Sequence, residues 1–254
     1  MNKIEEKYDF ADFTLESYRR KLRLALARGL RFNLFNTETI QSGIYLRHDV
    51  EFSPALALEL AKIENSLGIR STYFIQLHSD FYNALEPNNF QILNLIRSLG
   101  HELALHFDSH FWGIENENEL EDKLAKDFEV LNGYFGNLQN VFSFHNTNSF
   151  TLSCKQETYA GLVNVYSDRF TNHRYCADST GFWRYEKLDD VIQGMATNET
   201  LQLLIHDTMW QREIMSPRDR VFSAVDEQSI LLKSNYDQTL KEFGAKNITK
   251  DGEL

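Results

Sequence analysis

Apolar residues recur along this chain in two periods. From Phe13 to Phe35 they return at helical spacing through Tyr18, Leu22, Leu24 and Leu30, with arginine and lysine between them, which predicts a helix on the outside of the domain, ahead of its core. Gly43 to Val50 is short and rich in β-formers. Ser53-Pro54 then supplies an N-cap and a first-turn proline for a helix that packs through Leu56, Leu60, Ile63 and Leu67 and ends at Gly68. The next strand runs from Ser71 to Leu77, a second helix from about Asn88 to Gly100, and a third strand from His101 to His106. Ser66-Leu67-Gly68 and Ser98-Leu99-Gly100 are matching helix-to-strand joints, each glycine being free to take the left-handed cap.

The rhythm continues. Leu120, Leu124, Phe128 and Leu131 mark a helix, Val141 to Phe144 a strand, Leu188 to Asn198 a helix and Leu201 to Ile205 a buried strand. Ser216-Pro217 opens a long C-terminal helix, whose Val221, Val225, Ile230, Leu231 and Leu240 could cover the barrel or form an interface, packing within the chain being the expectation. Strands alternating with helices predict an α/β fold with a largely parallel sheet, open or closed into a barrel. No repeat, linker or low-complexity stretch divides the 254 residues, so one domain spanning 1–254 is expected, with its core at about 43–210.

Composition narrows the function. The 26 Lys and Arg against 37 Asp and Glu give a net charge of −11, and no basic run could track a phosphate backbone, so nucleic acid is not an expected partner. The start, Met1 to Lys7, has no apolar stretch behind its charges, and no run of apolar residues long enough to span a bilayer follows, which places the protein in the cytoplasm. Cys154 and Cys176 lack metal-ligand spacing and are read as reduced thiols. Oligomeric state is not legible.

Phosphate loops, dinucleotide fingerprints, the serine-hydrolase elbow and the H-E-x-x-H zinc motif are all missing. What remains is histidine placement. Five strand-like runs finish in histidine, at His48, His78, His106, His145 and His206, and parallel α/β folds build their sites at the carboxyl ends of strands. His106 and His110 stand i, i+4, which on a helical turn aims two imidazoles at one point, and Asp49 is the obvious third ligand. Two neutral histidines and one carboxylate leave room for water and substrate, the mark of a catalytic metal site. Any one of these histidines taken alone is more simply a strand-end residue bonded to loop backbone. His101 and His173 lack this context.

In this order the motifs resemble the polysaccharide deacetylases of the NodB-homology type, in particular the cytosolic branch tied to surface-polysaccharide biosynthesis, over about Tyr45 to Trp210. Arg47-His48-Asp49-Val50-Glu51 resembles the family's first motif, Gly100 to His110 its second and Leu203-Leu204-Ile205-His206 its last. The resemblance implies a distorted (β/α) barrel, metal ligation by Asp49, His106 and His110, and His206 as general acid. Asp178 to Arg184 resembles the segment that orients that histidine and walls the acyl pocket, which makes Asp178 its orienter. The family's first motif carries two adjacent aspartates, the earlier being the general base. Here that position is His48, so His48 or Glu51 is the candidate base. The third motif's arginine, proline and tyrosine are replaced by Ser143-Phe144-His145-Asn146.

The expected activity is metal-dependent removal of an N-acyl group, acetyl first, from an amino sugar on a nucleotide, lipid or oligosaccharide carrier. The ion expected from N/N/O ligands is Zn2+, with Co2+, Ni2+ or Fe2+ as substitutes. His145, Trp183 and Arg184 are the candidate substrate contacts. Two other classes compete. One is a catalytically inactive sugar-binding or scaffold protein of the same fold. The other is an Fe(II) oxygenase using His106, Asp108 and a distant histidine, which the βαβ rhythm disfavours.

Overall fold

The protein was described from a computed structural model covering residues 3–253; Met1, Asn2 and Leu254, and so the first two residues of the charged start, lie outside the described residues. Helix α1 (Lys3–Tyr8) leads to α2 (Leu15–Ala27), which is shorter than the predicted helix. Gly29 takes the left-handed conformation at φ 76°, and Phe32–Asn33 leave the helix to form β1 beside the next strand. Helix α2 contributes Tyr18, Leu22 and Ala25 to the core rather than only covering it.

The central rhythm is as predicted. Strand β2 (Gly43–Val50) is followed by α3 (Pro54–Ser66), with Ser53 Oγ accepting the N–H of Leu56 and Pro54 in the first turn. Then come β3 (Thr72–Ile75), α4 (Pro87–Ser98), β4 (Glu102–Phe107), the single turn α5 (Ser109–Trp112) and α6 (Glu117–Phe135). Strand β5 (Val141–Phe144) and α7 (Ser149–Ser153) precede the hairpin of β6 (Thr158–Tyr159) and β7 (Leu162–Asn164). The chain closes with α8 (Asp168–Thr171), β8 (Arg174–Ala177), α9 (Leu188–Gly194), β9 (Thr200–His206), α10 (Pro217–Glu242) and a small hairpin of β10 (Ile248–Thr249) and β11 (Gly252–Glu253). Helix α9 stops four residues before its predicted end, because Met195 turns extended and buries its side chain.

The main sheet runs β6-β7-β5-β4-β3-β2-β9-β8, with β1 beside the lower part of β2, and every pair is parallel except β6 with β7. A Cβ at Gly43, whose φ is 128°, would stand 2.5 Å from the carbonyl oxygen of Arg31, so glycine lets β1 approach β2. The sheet curls far enough for distant strands to meet. Gln202 on β9 donates to the carbonyl of Val165 just past β7 at 2.8 Å, and Arg47 on β2 reaches the hydroxyl of Tyr166 at 2.9 Å. This is the expected distorted barrel, left open between its two ends: no strand pairing among the described residues joins β8 to the β6-β7 hairpin.

Side chains alternate across the curl. Tyr45, Phe74, Ala104 and Val141 pack inside it with Phe35, Val165 and Phe170. Leu46, Leu203 and Ile205 face outward under α2, α3 and α9, while Leu103, Leu105 and Phe142 face outward under α4 and α6. Parity along each strand therefore decides which residues can line an interior site.

Candidate active site

The interior opens at the carboxyl ends of the strands into a cavity of about 870 Å³, lined among others by Asp49, Glu51, His78, His145, Arg184 and His206. Three histidines surround Glu51 of this lining. Its Oε1 is 3.2 Å from His106 Nε2, 3.0 Å from His145 Nδ1 and 3.9 Å from His206 Nε2. One ligand atom each from Glu51, His106 and His145 falls within 4.8 Å of the others, the one such group of three found among the described residues.

Strand parity explains this grouping. Asp49 and Glu51 are two apart, and so are Ser143 and His145, so each pair points to one side of its strand or strand end. His106 projects inward from β4, and its Nδ1 lies 2.7 Å from Ser143 Oγ. Nε2 of the same ring meets Glu51 Oε1, a contact in which the imidazole donates, while Ser143 at Nδ1 supplies the contact that orients a metal-ligating histidine. His106 and Ser143 are buried, and Ser143 Oγ donates onward to Asp49 Oδ1 at 3.4 Å.

The charges suit a cation. Burial raises the cost of ionising Glu51, but His206, His106 and His145 outweigh it and hold this carboxyl well below its usual range. Burial opposes a charge on His145 too, and Glu51 overcomes it, raising the imidazole above its ordinary value. A carboxylate that draws positive charge onto its neighbours is a place where a divalent ion can replace protons. The two-nitrogen, one-oxygen donor set fits Zn2+, Co2+, Ni2+ or Fe2+.

Of the expected metal ligands, His106 is in this group, Asp49 is beside it and His110 is outside it, joined to His145 through Asn146. Asp49 Oδ2 is 3.8 Å from His106 Nε2 but only 2.7 Å from Arg47 Nη2, so that oxygen already serves a buried ion pair. His110 is exposed and bonds through Nε2 to the carbonyl of Asn146 at 2.6 Å. The i, i+4 pair does not share a helix: β4 continues to Phe107 and Asp108 then caps a new turn, accepting from the N–H groups of His110 and Phe111.

His48, the first candidate base, points out of the site. It has the opposite parity to Asp49 and is completely buried behind β2, where its Nε2 meets Glu64 Oε1 at 2.7 Å and its ring stacks on Tyr73 at 4.2 Å. Glu64 also accepts from Tyr18, Ser71 and Tyr73, and His101 Nδ1 stands 3.5 Å away. Burial works to raise the Glu64 pKa, but His48 and its other partners bring it down to about 2. This is a structural ion cluster.

At the other side of the cavity His206 Nδ1 is 2.6 Å from Asp178 Oδ1, and Asp178 Oδ2 accepts the indole N–H of Trp210 at 2.7 Å. Asp178 is fully buried. Burial disfavours a charged His206, yet Glu51 and Asp178 reverse this and push it up to about 10. Nδ1 is thereby occupied, leaving Nε2 as the proton-bearing atom toward Glu51. Trp183 is not in the cavity lining: its indole donates to Asp12 at 2.6 Å, and its ring stacks on Phe13 in the outer core. Arg184 and Tyr185 on the same loop do line it, as does Lys155.

Asp207 was not singled out from the sequence. It is completely buried and accepts the backbone N–H of Glu51 at 3.1 Å, of Phe52 at 3.2 Å and of Ser53. It thus clamps the turn that carries Glu51. Burial raises its pKa to about 6 against those three donors. The available signal was its place directly after His206, at the end of the strand adjoining β2.

No family model matches this chain, and no curated protein does. Among solved structures, it is similar to the chitin deacetylase of the fungal pathogen Colletotrichum lindemuthianum, with 14% identity, a TM-score of 0.44 and coverage of 74% of this chain and 84% of that one. A family 4 carbohydrate esterase from Streptomyces lividans, in complex with acetate, aligns at 14% identity and TM-score 0.39 over 84% of this chain and 96% of its own. A peptidoglycan deacetylase of Bdellovibrio bacteriovorus aligns at 12% and 0.39, covering 79% of this chain and 54% of that one. At such likeness the residues of this chain alone carry its chemistry.

Proposed function

We propose that this protein is a divalent-metal-dependent hydrolase that removes an N-acyl group, acetyl first, from an amino sugar. The observation that carries the reading is the pairing, across one cavity, of the Glu51, His106 and His145 group with the His206–Asp178 pair. In the revised ligand set Glu51 and His145 take the places expected of Asp49 and His110. Glu51, His106 and His145 would hold the ion, whose chemistry when bound would be to acidify a water and polarise the amide carbonyl. Asp49, which faces the same cavity and is kept in place by Arg47, would be the base that takes a proton from the attacking water. His206 donates a proton from Nε2 to the departing amine, and Asp178 holds the ring in the tautomer and orientation this requires.

The inactive-scaffold reading drew on the missing first aspartate, but Asp49 and Glu51 together put two carboxylates on the cavity side. An Fe(II) oxygenase would use two histidines and a carboxylate but would have no task for a buried acid–base pair, which favours hydrolysis. The motif resemblance adds surface-polysaccharide biosynthesis in the cytoplasm and a nucleotide, lipid or oligosaccharide carrier. Arg184 and Lys155 in the cavity lining suit an anionic carrier. The test is acetate release from N-acetylated amino sugars on each carrier, with and without Zn2+. Metal-dependent acetate release supports the reading, and none from the whole panel overturns it.

A further inference from the structure

Among the described residues, the buried side chains of helix α10 all lie in its first two turns. The buried guanidinium of Arg220 donates to the carbonyls of Gly181 at 3.0 Å and Phe10 at 3.2 Å, and Ala224 is the last buried residue of the helix. From Val225 to Glu242 no side chain is buried, and this stretch is roughly 27 Å of helix at 1.5 Å per residue. The sequence reading expected this segment to pack within the chain. Val221 does so and Leu231 and Leu240 are half-buried, but Val225 and Ile230 are 43% and 66% exposed, as are Leu232, Tyr236 and Phe243 at 56%, 62% and 83%.

Apart from Ile230, which lies off the series, their spacing is regular. Phe222, Val225, Leu232, Tyr236 and Phe243 fall on one continuous series of alternating three- and four-residue steps, with Ser229 and Thr239 at the two remaining positions. That is three heptads of a and d positions. A strict series of this kind is the narrow seam of a helix that pairs with another helix, whereas a helix lying on its own domain carries a wider stripe. A free helix of this length, with β-branched and serine residues in it, is marginal in water.

We propose that this face of α10 binds the same face of a second copy of the chain, giving a two-fold dimer joined by a helix pair. The exposed apolar side chains present roughly 600 Å². That is at the upper end for a monomer and near the ~800 Å² per partner of a stable interface. An isologous contact suits a seam that is self-complementary. A lipid surface fits poorly: α10 carries four Lys and Arg against five Asp and Glu in a chain of net charge −11, so it has no basic face for anionic headgroups. Ser229, Tyr236 and Thr239 weaken the seam and make the dimer reversible.

Sedimentation velocity over a concentration series tests this on the full chain. The expected result is the mass of two chains for the wild type at high concentration and of one chain for Leu232→Asp/Tyr236→Asp. Neither substituted side chain is buried, so the body should stay folded, with the same bound-metal content as the wild type. Ser234→Asp/Lys241→Asp, on the opposite side of the helix, should still dimerise. A wild type that stays a single chain throughout overturns the proposal, including one that co-floats with phosphatidylserine vesicles. So does a dimer that survives Leu232→Asp/Tyr236→Asp, or one lost equally in Ser234→Asp/Lys241→Asp.

Discussion

His206 Nδ1 stands 2.6 Å from Asp178 Oδ1, and the same carboxylate receives the backbone N–H of His206, so ring and strand end are fixed together. Asp178→Asn removes the charge that stabilises the imidazolium and reverses the preferred tautomer. Turnover is expected to fall by about 10²- to 10⁴-fold while metal content stays at the wild-type level. His206→Ala should behave alike. Full turnover in His206→Ala would remove this residue as the acid.

Asp207 acts on Glu51 through the backbone. Asp207→Ala leaves the three amides of Glu51, Phe52 and Ser53 without their acceptor and frees the turn that holds the carboxylate. A loss of about 2–4 kcal/mol in urea unfolding is expected. Metal affinity should weaken by about 10- to 100-fold, as for other groups that orient a ligand. Unchanged affinity measured by competition with a chelator would show that the clamp does not reach the site.

The cluster behind β2 makes a pH prediction. Glu64 has a folded pKa of about 2 against an ordinary 4.5, so the folded state binds fewer protons than the unfolded chain between those values. Its stabilisation is complete above about pH 5 and is lost as pH falls toward 2. His101, lowered chiefly by burial, adds in the same direction, its contribution being lost as pH falls below the usual imidazole range. Urea unfolding from pH 7 to 3 should show a steep acid limb, flattened in Glu64→Gln. That variant should also lose about 3–5 kcal/mol at pH 7, since His48 would be left buried without its partner.

Since His48 belongs to that cluster, His48→Phe should lower stability yet leave metal content at the wild-type level. Loss of metal without unfolding would return His48 to the site.

Much of the α/β frame was legible because its signals are local. Ser53-Pro54 starts α3, Gly43 to Val50 is β2 to the residue, and parallel order follows from the alternation of helix and strand. The proposed site was legible in residue type but not in the grouping the structure gives. Side-chain parity would have separated His48 from Asp49 and Glu51 and joined His145 to Ser143, but spacing alone suggested a helix at His106 and His110 where the chain changes from strand to turn. Trp183 was misplaced for another reason: nothing local to the segment says that its indole turns to Asp12, 171 residues away. The exposed half of α10 was read as packing inward because an apolar helical face does not reveal whether its own chain or another covers it.

Metal content tests the central claim most directly. Untagged protein dialysed against metal-free buffer, then loaded with Zn2+ and dialysed again, should retain close to one ion per chain by mass spectrometry. Glu51→Gln, His106→Ala and His145→Ala should each lose it, while His110→Ala and His48→Phe should keep it. Retention in His145→Ala together with loss in His110→Ala, or no retention by the wild type, would contradict the proposed centre.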